Sequence, residues 1–293
     1  MRITQSIITR TILDGINRSH ENMNNAQRDI ASGKTIHKPS DDPLGYTRMA
    51  RYRQMINQNE KYMGNITNSN GWLSTTSSAL NHILDRVMEA KGYATQGAND
   101  TLNATNRAAL ADKVDGLIEE VVSLVNTKYL GKNLFAGTKT KEEAAFDWSN
   151  GSLTYNGNSG KINRKIGSSL SVTINVNGNQ LANTGVFSAL TDLKNALNDN
   201  DQTAINDMIN SLRDVSDQIA SLASGVGSIQ NHMEMARQRL DTANINLASY
   251  LSQIEDTDVV EAITRYNNEE ISYNAALRTA SDVIRTNLLD FLG

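Results

Sequence analysis

Four groups of residues have the types and spacing to do chemistry. Gly33-Lys34-Thr35 has the ending of a phosphate-binding loop, in which backbone N–H groups and a lysine cradle phosphate. That loop needs a second glycine five residues before Gly33, and Arg28 stands there. It also needs a preceding strand, whereas the residues before Gly33 repeat with helical period. Nucleotide binding is therefore not expected. Ser40-Asp41-Asp42 offers two neighbouring carboxylates for acid–base work. Placed directly before Pro43 and an amphipathic run, they read better as a helix start, with Asp41 or Asp42 capping and Pro43 in the first turn. His20, His37, His82 and His232 are scattered, with no i, i+4 pair to hold a metal. With no cysteine, thiolate catalysis, disulfides and Cys-ligated metals are excluded. No nucleophile–base constellation stands out, so the chain is not expected to be an enzyme or to carry a cofactor.

The residues around these groups read as long helices. Both prolines of the 293-residue chain, Pro39 and Pro43, fall in one stretch, SGKTIHKPSDDPLG at 32–45, and the rest is free to run as uninterrupted helix. Aromatics make up only 5%, so a core of Leu, Ile, Val, Met and Ala is expected, a composition suited to helix seams. The strongest seam starts at Ile205 and steps by three and four through Leu212, Ile219, Val226, Met233, Leu240 and Leu247 to Ile254. As one helix it would be ~75 Å long, with a 3.5-residue repeat that demands helix partners along its length. Gly225 and Gly227 make a bend possible there. A second seam runs from Tyr52 through Met55, Tyr62, Ile66, Leu73, Leu80 and Val87 to Ala90, and a third from Leu110 to Leu124.

Between Thr138 and Gly185 the period falls to two. Leu170, Val172, Ile174 and Val176 alternate with polar residues, and Val176–Asn179 (VNGN) has hairpin-turn chemistry. This predicts a small β-rich insertion. Both ends carry further seams: Ile12, Ile16, Met23 and Ile30, and then Ile263, Tyr266, Tyr273, Leu277, Ile284 and Phe291. The C-terminal seam slips phase at Glu255–Asp258, which marks a joint; Gly33, Pro39, Asp41, Asp42 and Pro43 form its N-terminal counterpart. Residues 1–40 hold six cationic and three acidic side chains, and residues 255–293 three and eight, so the two ends should pair. Helices of this length are marginal alone, so the ends are expected to be mobile in a free monomer. The expected fold is mainly α: a long antiparallel coiled-coil bundle, paired terminal helices and a small β-rich inserted domain. Its expected divisions are 1–40 with 256–293, 41–137 with 186–255, and 138–185. A net charge of −4 gives no case for nucleic acid, no apolar run is long enough to span a bilayer, and the start lacks the apolar core of a cleaved signal.

Several stretches resemble the flagellin family of bacterial axial proteins. They are MRIT at the start, SGKTIHKPSDDPLG, NRAALADKVDGLIEEV, NLFAGTKTKEEAAFD at 133–147, and TNLLDFLG at the end. The Pro-Ser-Asp-Asp-Pro element and the ending are closer to the hook–filament junction branch than to the filament-forming flagellins. Flagellins carry a related pattern without that element. The trailing Gly293 departs from the branch. The resemblance covers the chain except most of 150–185. It implies a structural subunit exported without signal cleavage through the flagellar type III apparatus, with an export chaperone. Its termini would line an inner tube in a self-associated helical ring, between a hook-associated adaptor and flagellin, and its middle would face outward. A minor flagellin, or less readily a helical adhesin, are the alternatives.

Overall fold

The computed structural model describes the backbone of residues 5–141, 144–149 and 152–292, and most side chains between residues 7 and 282. In chain order these residues form α1 (Gln5–Ser32), α2 (Pro43–Gly97), α3 (Ala104–Val125), β1 (Lys128–Tyr129), β2 (Lys132–Asn133), β3 (Phe146–Ser149) and β4 (Ser152–Tyr155). There follow β5 (Asn163–Lys165), β6 (Ser171–Thr173), α4 (Gly178–Ala182), α5 (Val186–Asn198), α6 (Gln202–Glu255) and α7 (Val259–Leu292). The mainly α expectation holds, with the strands confined to three small antiparallel pairs. The chain forms two compact units, Met1–Asn57 with Ala243–Gly293, and Gln58–Thr242; α2 and α6 contribute to both. Among the described residues, no helix is long and apolar enough to cross a membrane.

In the unit of residues 58–242, the core is built from three-and-four spacing. Ile66, Leu73, Leu80, Ile83 and Val87 of α2 are fully buried with Val114, Ile118 and Val121 of α3, Leu190, Leu193 and Leu197 of α5, and Ile205, Leu212 and Ile219 of α6. Each such side chain contributes about 1.5–3 kcal/mol on burial. α2 and α6 run antiparallel: Gln202 donates to the Ala98 carbonyl at 2.8 Å, and Ser216 lies 3.5 Å from the Met88 sulfur, so α6 climbs as α2 descends. α5 packs along α3. The α6 seam is continuous through Gly225 and Gly227, with Val226, Met233 and Ala236 buried. The α2 seam holds at Tyr52, which is half-buried, but shifts by one residue at Met55, which is exposed while Ile56 is half-buried instead.

The short strands lack the area to be stable alone and share this core. β1 and β2 close through Leu130 and Gly131, both with positive φ (48° and 74°), a left-handed two-residue turn. β3 and β4 pair Phe146 with Tyr155 and Trp148 with Leu153. Phe146 lies 5.0 Å from the Tyr155 ring and 6.0 Å from Phe187 of α5, which Trp148 also stacks against. Asn126, which caps α3 at its C-terminus, docks β3 by donating to the Phe146 carbonyl and accepting from its N–H. The Val176–Asn179 stretch is not a hairpin turn. Asn177 caps α4 through the Gln180 N–H, and the Gln180 side chain returns a bond to the Asn177 N–H. Asn-Gly chemistry serves either structure, and the burial of Leu181 one turn later selects the helix.

Candidate assembly surface and interhelix joint

The unit of residues 1–57 and 243–293 holds the terminal pair and the joint. α1 and α7 are antiparallel: His20 meets Tyr273 with ring centroids 5.7 Å apart, Asn22 donates to Glu269 at 3.1 Å, and Arg265 reaches Asp29 at 3.5 Å. On α1, Ile12, Ile16, Met23 and Ile30 are half-buried around a buried Ala26. On α7, Ala262 is buried and Tyr266 and Tyr273 are half-buried, while Ile263 and Leu277 point away and are exposed. The apolar stripe of α7 is therefore wider than its contact with α1. The side chains of Ile284 and Phe291 lie outside the described residues. Ile7, Ile8 and Leu13 of α1 and Ile271 of α7 are also exposed.

The joint begins where α1 stops. Gly33 takes φ +69°, in the left-handed region, and its N–H returns to the Asp29 carbonyl at 2.9 Å, the usual way a glycine closes a helix. The chain then runs beside the α6–α7 connection as a short antiparallel pair. Lys34 bridges Asp256, the Thr35 N–H donates to the Glu255 carbonyl at 2.7 Å, and the Thr257 N–H donates to the Gly33 carbonyl at 3.0 Å. Lys38–Asp41 form a tight turn, with Pro39 exposed at its second position, where its fixed φ fits. The Asp41 carboxylate accepts from the His37 and Lys38 N–H groups, each at 3.1 Å. Partial desolvation pushes the Asp41 carboxyl upward. Those two bonds, with the Lys38 and Arg28 charges, outweigh it and hold the group below its ordinary value. Asp42 is the helix cap: it accepts from the Leu44 N–H at 3.1 Å, its carbonyl takes the first helical bond from Tyr46, and Pro43 fills the first helical position. Gly45 is buried here, and a methyl group on it would sit 2.3 Å from an Asp42 oxygen and 2.7 Å from Ile36.

Two buried carboxylates tie the four helix ends together. Glu255, 3% exposed, ends α6 and is held by Lys34 of the linker and by Arg53 of α2 at 2.5 Å. Asp29, 6% exposed, lies in the last turns of α1. It accepts from His37 Nε2 at 3.0 Å and faces Arg265 of α7. Buried carboxylates are costly unless charge-paired, so each holds its partners in place. Lys34, the lysine of the apparent phosphate loop, is engaged with Glu255. The periodicity of α1 carried a signal for this: Asp29 occupies the apolar phase three residues after buried Ala26. The Lys34–Glu255–Arg53 cluster joins residues about two hundred positions apart and had no local signature.

Residues 3–140 match the bacterial flagellin N-terminal helical region, and residues 207–292 match the bacterial flagellin C-terminal helical region. The chain belongs to the flagellin family. Flagellar hook-associated protein 3 of Escherichia coli is 27% identical over 255 residues, covering 87% of this chain and 77% of its own length. Its counterpart in Salmonella typhimurium is 28% identical over 185 residues, covering 63% and 57% respectively. A solved flagellar hook-associated protein of Vibrio parahaemolyticus shares the fold with a TM-score of 0.68. That match has 18% identity and covers 74% of this chain and all of that one. As a flagellin-family member the chain is a structural component of the bacterial flagellum. Both matched regions are mainly helical among the described residues, and the joint at Gly33–Pro43 lies inside the first of them.

Proposed function

We propose that this chain is an axial subunit joining the flagellar hook, through a hook-associated adaptor, to the flagellin filament. One observation carries the reading. Twelve of the sixteen large apolar side chains exposed among the described residues lie in the smaller unit, that of α1 and α7. Apolar surface so concentrated marks an interaction site, which many laterally packed copies would cover. In this reading residues 1–40 and 256–293 line an inner tube. Residues 41–137 and 186–255 form the helical bundle, and 138–185 face outward. Ile12, Ile16, Met23, Ile30, Tyr266 and Tyr273 pack the terminal pair, while Ile263 and Leu277, with Ile284 and Phe291, serve the contacts between copies. Gly33, Pro39, Asp41, Asp42 and Pro43 set the joint. The role is structural and not enzymatic, with flagellin and the adaptor as axial neighbours. Export proceeds through the flagellar apparatus without signal cleavage, with an export chaperone as a partner.

Deleting the gene and imaging the cells tests this. Hooks without filaments, with flagellin shed into the medium, are expected; normal filaments would refute the junction role. A minor flagellin is the second reading, favoured by the match to both flagellin helical regions. Purified protein growing long filaments unaided would select it. A helical adhesin has no specific observation in its favour, and secretion by the general pathway would be its mark.

A further inference from the structure

The β5–β6 hairpin and α6 enclose an open groove of about 400 Å³, lined by Ile166, Leu170, Val172, His232, Met235 and Arg239. Its floor is apolar and partly uncovered: Leu170 is 44% exposed and Met235 57%. Its rim is cationic. Arg239 and His232 line it, and Arg164 sits directly opposite Val172 in the hairpin register, on the same face. Among the described residues neither Arg239 nor Arg164 has an acidic partner, although this chain is acidic overall. No Asp or Glu occurs from Trp148 to Thr191. An apolar floor with unpaired cations around it calls for an acidic, apolar protein segment.

The chain itself presents one. At the start of α7, Val259, Val260 and Ile263 are 47%, 75% and 44% exposed, in a run that also holds Asp256, Asp258 and Glu261. Asp258 accepts from the N–H groups of Val260 and Glu261, which fixes this first turn in shape. Glu261 has no cationic partner among the described residues, and acidic side chains in a first helical turn are themselves favoured. We propose that the groove of one copy receives the Asp258–Ile263 turn of α7 from a second copy, with Glu261 facing Arg239 and Arg164. Groove and turn are different surfaces of one chain, so the contact is heterologous. Each copy can use both, and repetition closes a ring or continues as a helix. The inference rests on the reading of the chain as a self-assembling axial subunit, and names the surface.

The absence of native cysteine makes the test direct. Full-length Leu170→Cys and Val260→Cys proteins are prepared separately, mixed and oxidised, and mixed disulfide dimers are followed on non-reducing gels. The control replaces Leu170→Cys by Leu130→Cys, at an equally apolar and more exposed site. The groove pair should cross-link about tenfold faster than the control, and adding Arg239→Glu to the groove protein should remove about that factor. Adding Glu261→Arg to the partner protein should restore it; both positions are exposed, and circular dichroism verifies the fold. Equal rates for groove and control pairs, or no restoration by the double reversal, overturn the proposal. So does rapid closure of a Leu170→Cys, Val260→Cys double variant within one molecule at high dilution, because the occupant is then the chain's own α7. Binding of the wild-type chain to heparin without specific cross-linking overturns it in favour of an anionic polymer. Copies that assemble without this cross-link sink the surface assignment alone; a chain that stays monomeric and whose deletion leaves filaments normal sinks the axial reading as well.

Discussion

Tyr155 shows how a single group can govern stability. Its hydroxyl lies 2.9 Å from both the Phe135 and Asn158 carbonyls and accepts from the Gly178 N–H at 3.2 Å. Burial pushes the phenol above its ordinary value, because a phenolate there would lose its water; the backbone bonds with Gly178 and Asn158 oppose this and are outweighed. The protonated form is the one the fold favours. Its contribution is complete below the unfolded value, near pH 10, and is lost as pH rises through the higher folded value. Tyr155→Phe should therefore flatten the fall in thermal midpoint above about pH 10, and cost about 1 kcal/mol at neutral pH. Melting curves at a series of pH values measure both; an unchanged alkaline limb contradicts the assignment. Little of this was legible in the sequence. Nothing local to Tyr155 announces Phe135 or Gly178, twenty or more positions away. By contrast Asp42 and Pro43 were legible as a helix start, since cap chemistry acts within three residues.

Elements were readable in proportion to how far they satisfy themselves locally. The α6 seam was plain because every third or fourth residue repeats the same demand for a partner, and the phase slip at Glu255–Asp258 falls where α6 ends and α7 begins. α5, the turn at Leu130–Gly131 and the Asn177 cap were missed, because short segments take their structure from the core they join. So was Arg107, a buried cation in the first turn of α3. It donates to the Gly97 carbonyl at 2.8 Å, the Asn99 carbonyl at 3.0 Å and the Asn200 side chain at 2.5 Å. It thus holds the C-terminal end of α2 against the α5–α6 turn, where a positive charge complements the helix dipole. Arg107→Ala should destabilise the chain by about 2–4 kcal/mol in urea unfolding, since buried oxygens lose charge-assisted bonds. Arg107→Lys should recover only part, because one ammonium cannot reach three directions. A loss under 0.5 kcal/mol would refute the clamp.

At the scale of the whole chain, the contrast is between a unit with a continuous core and one built mainly of a single helix pair. Val114, Leu190 and Ile219 have no counterpart in the α1–α7 pair, where most apolar positions are only half-buried. Limited proteolysis of dilute monomer should therefore cut within residues 1–40 and 255–293 first, leaving a resistant fragment around residues 58–242, and assembly should suppress those cuts. Equal resistance of both regions would contradict the expectation. The sequence disclosed the pairing of the ends through their opposite charge and matching seams. It also located the joint, at Gly33–Pro43 and Glu255–Asp258, but not the contacts that close it, which cross two hundred residues. That joint has a mechanical meaning. Gly33–Thr35 and Glu255–Thr257 are two covalent strands leading from the same helix pair, and the bonds between them run crosswise. A pull on α1 and α7 together divides between two peptide backbones and leaves the crosswise bonds unloaded. A pull on one alone shears those bonds and recruits the other strand. Gly33 and Thr257 thus form a load-sharing yoke, in which no hydrogen bond bears the main force as long as both helices are pulled together.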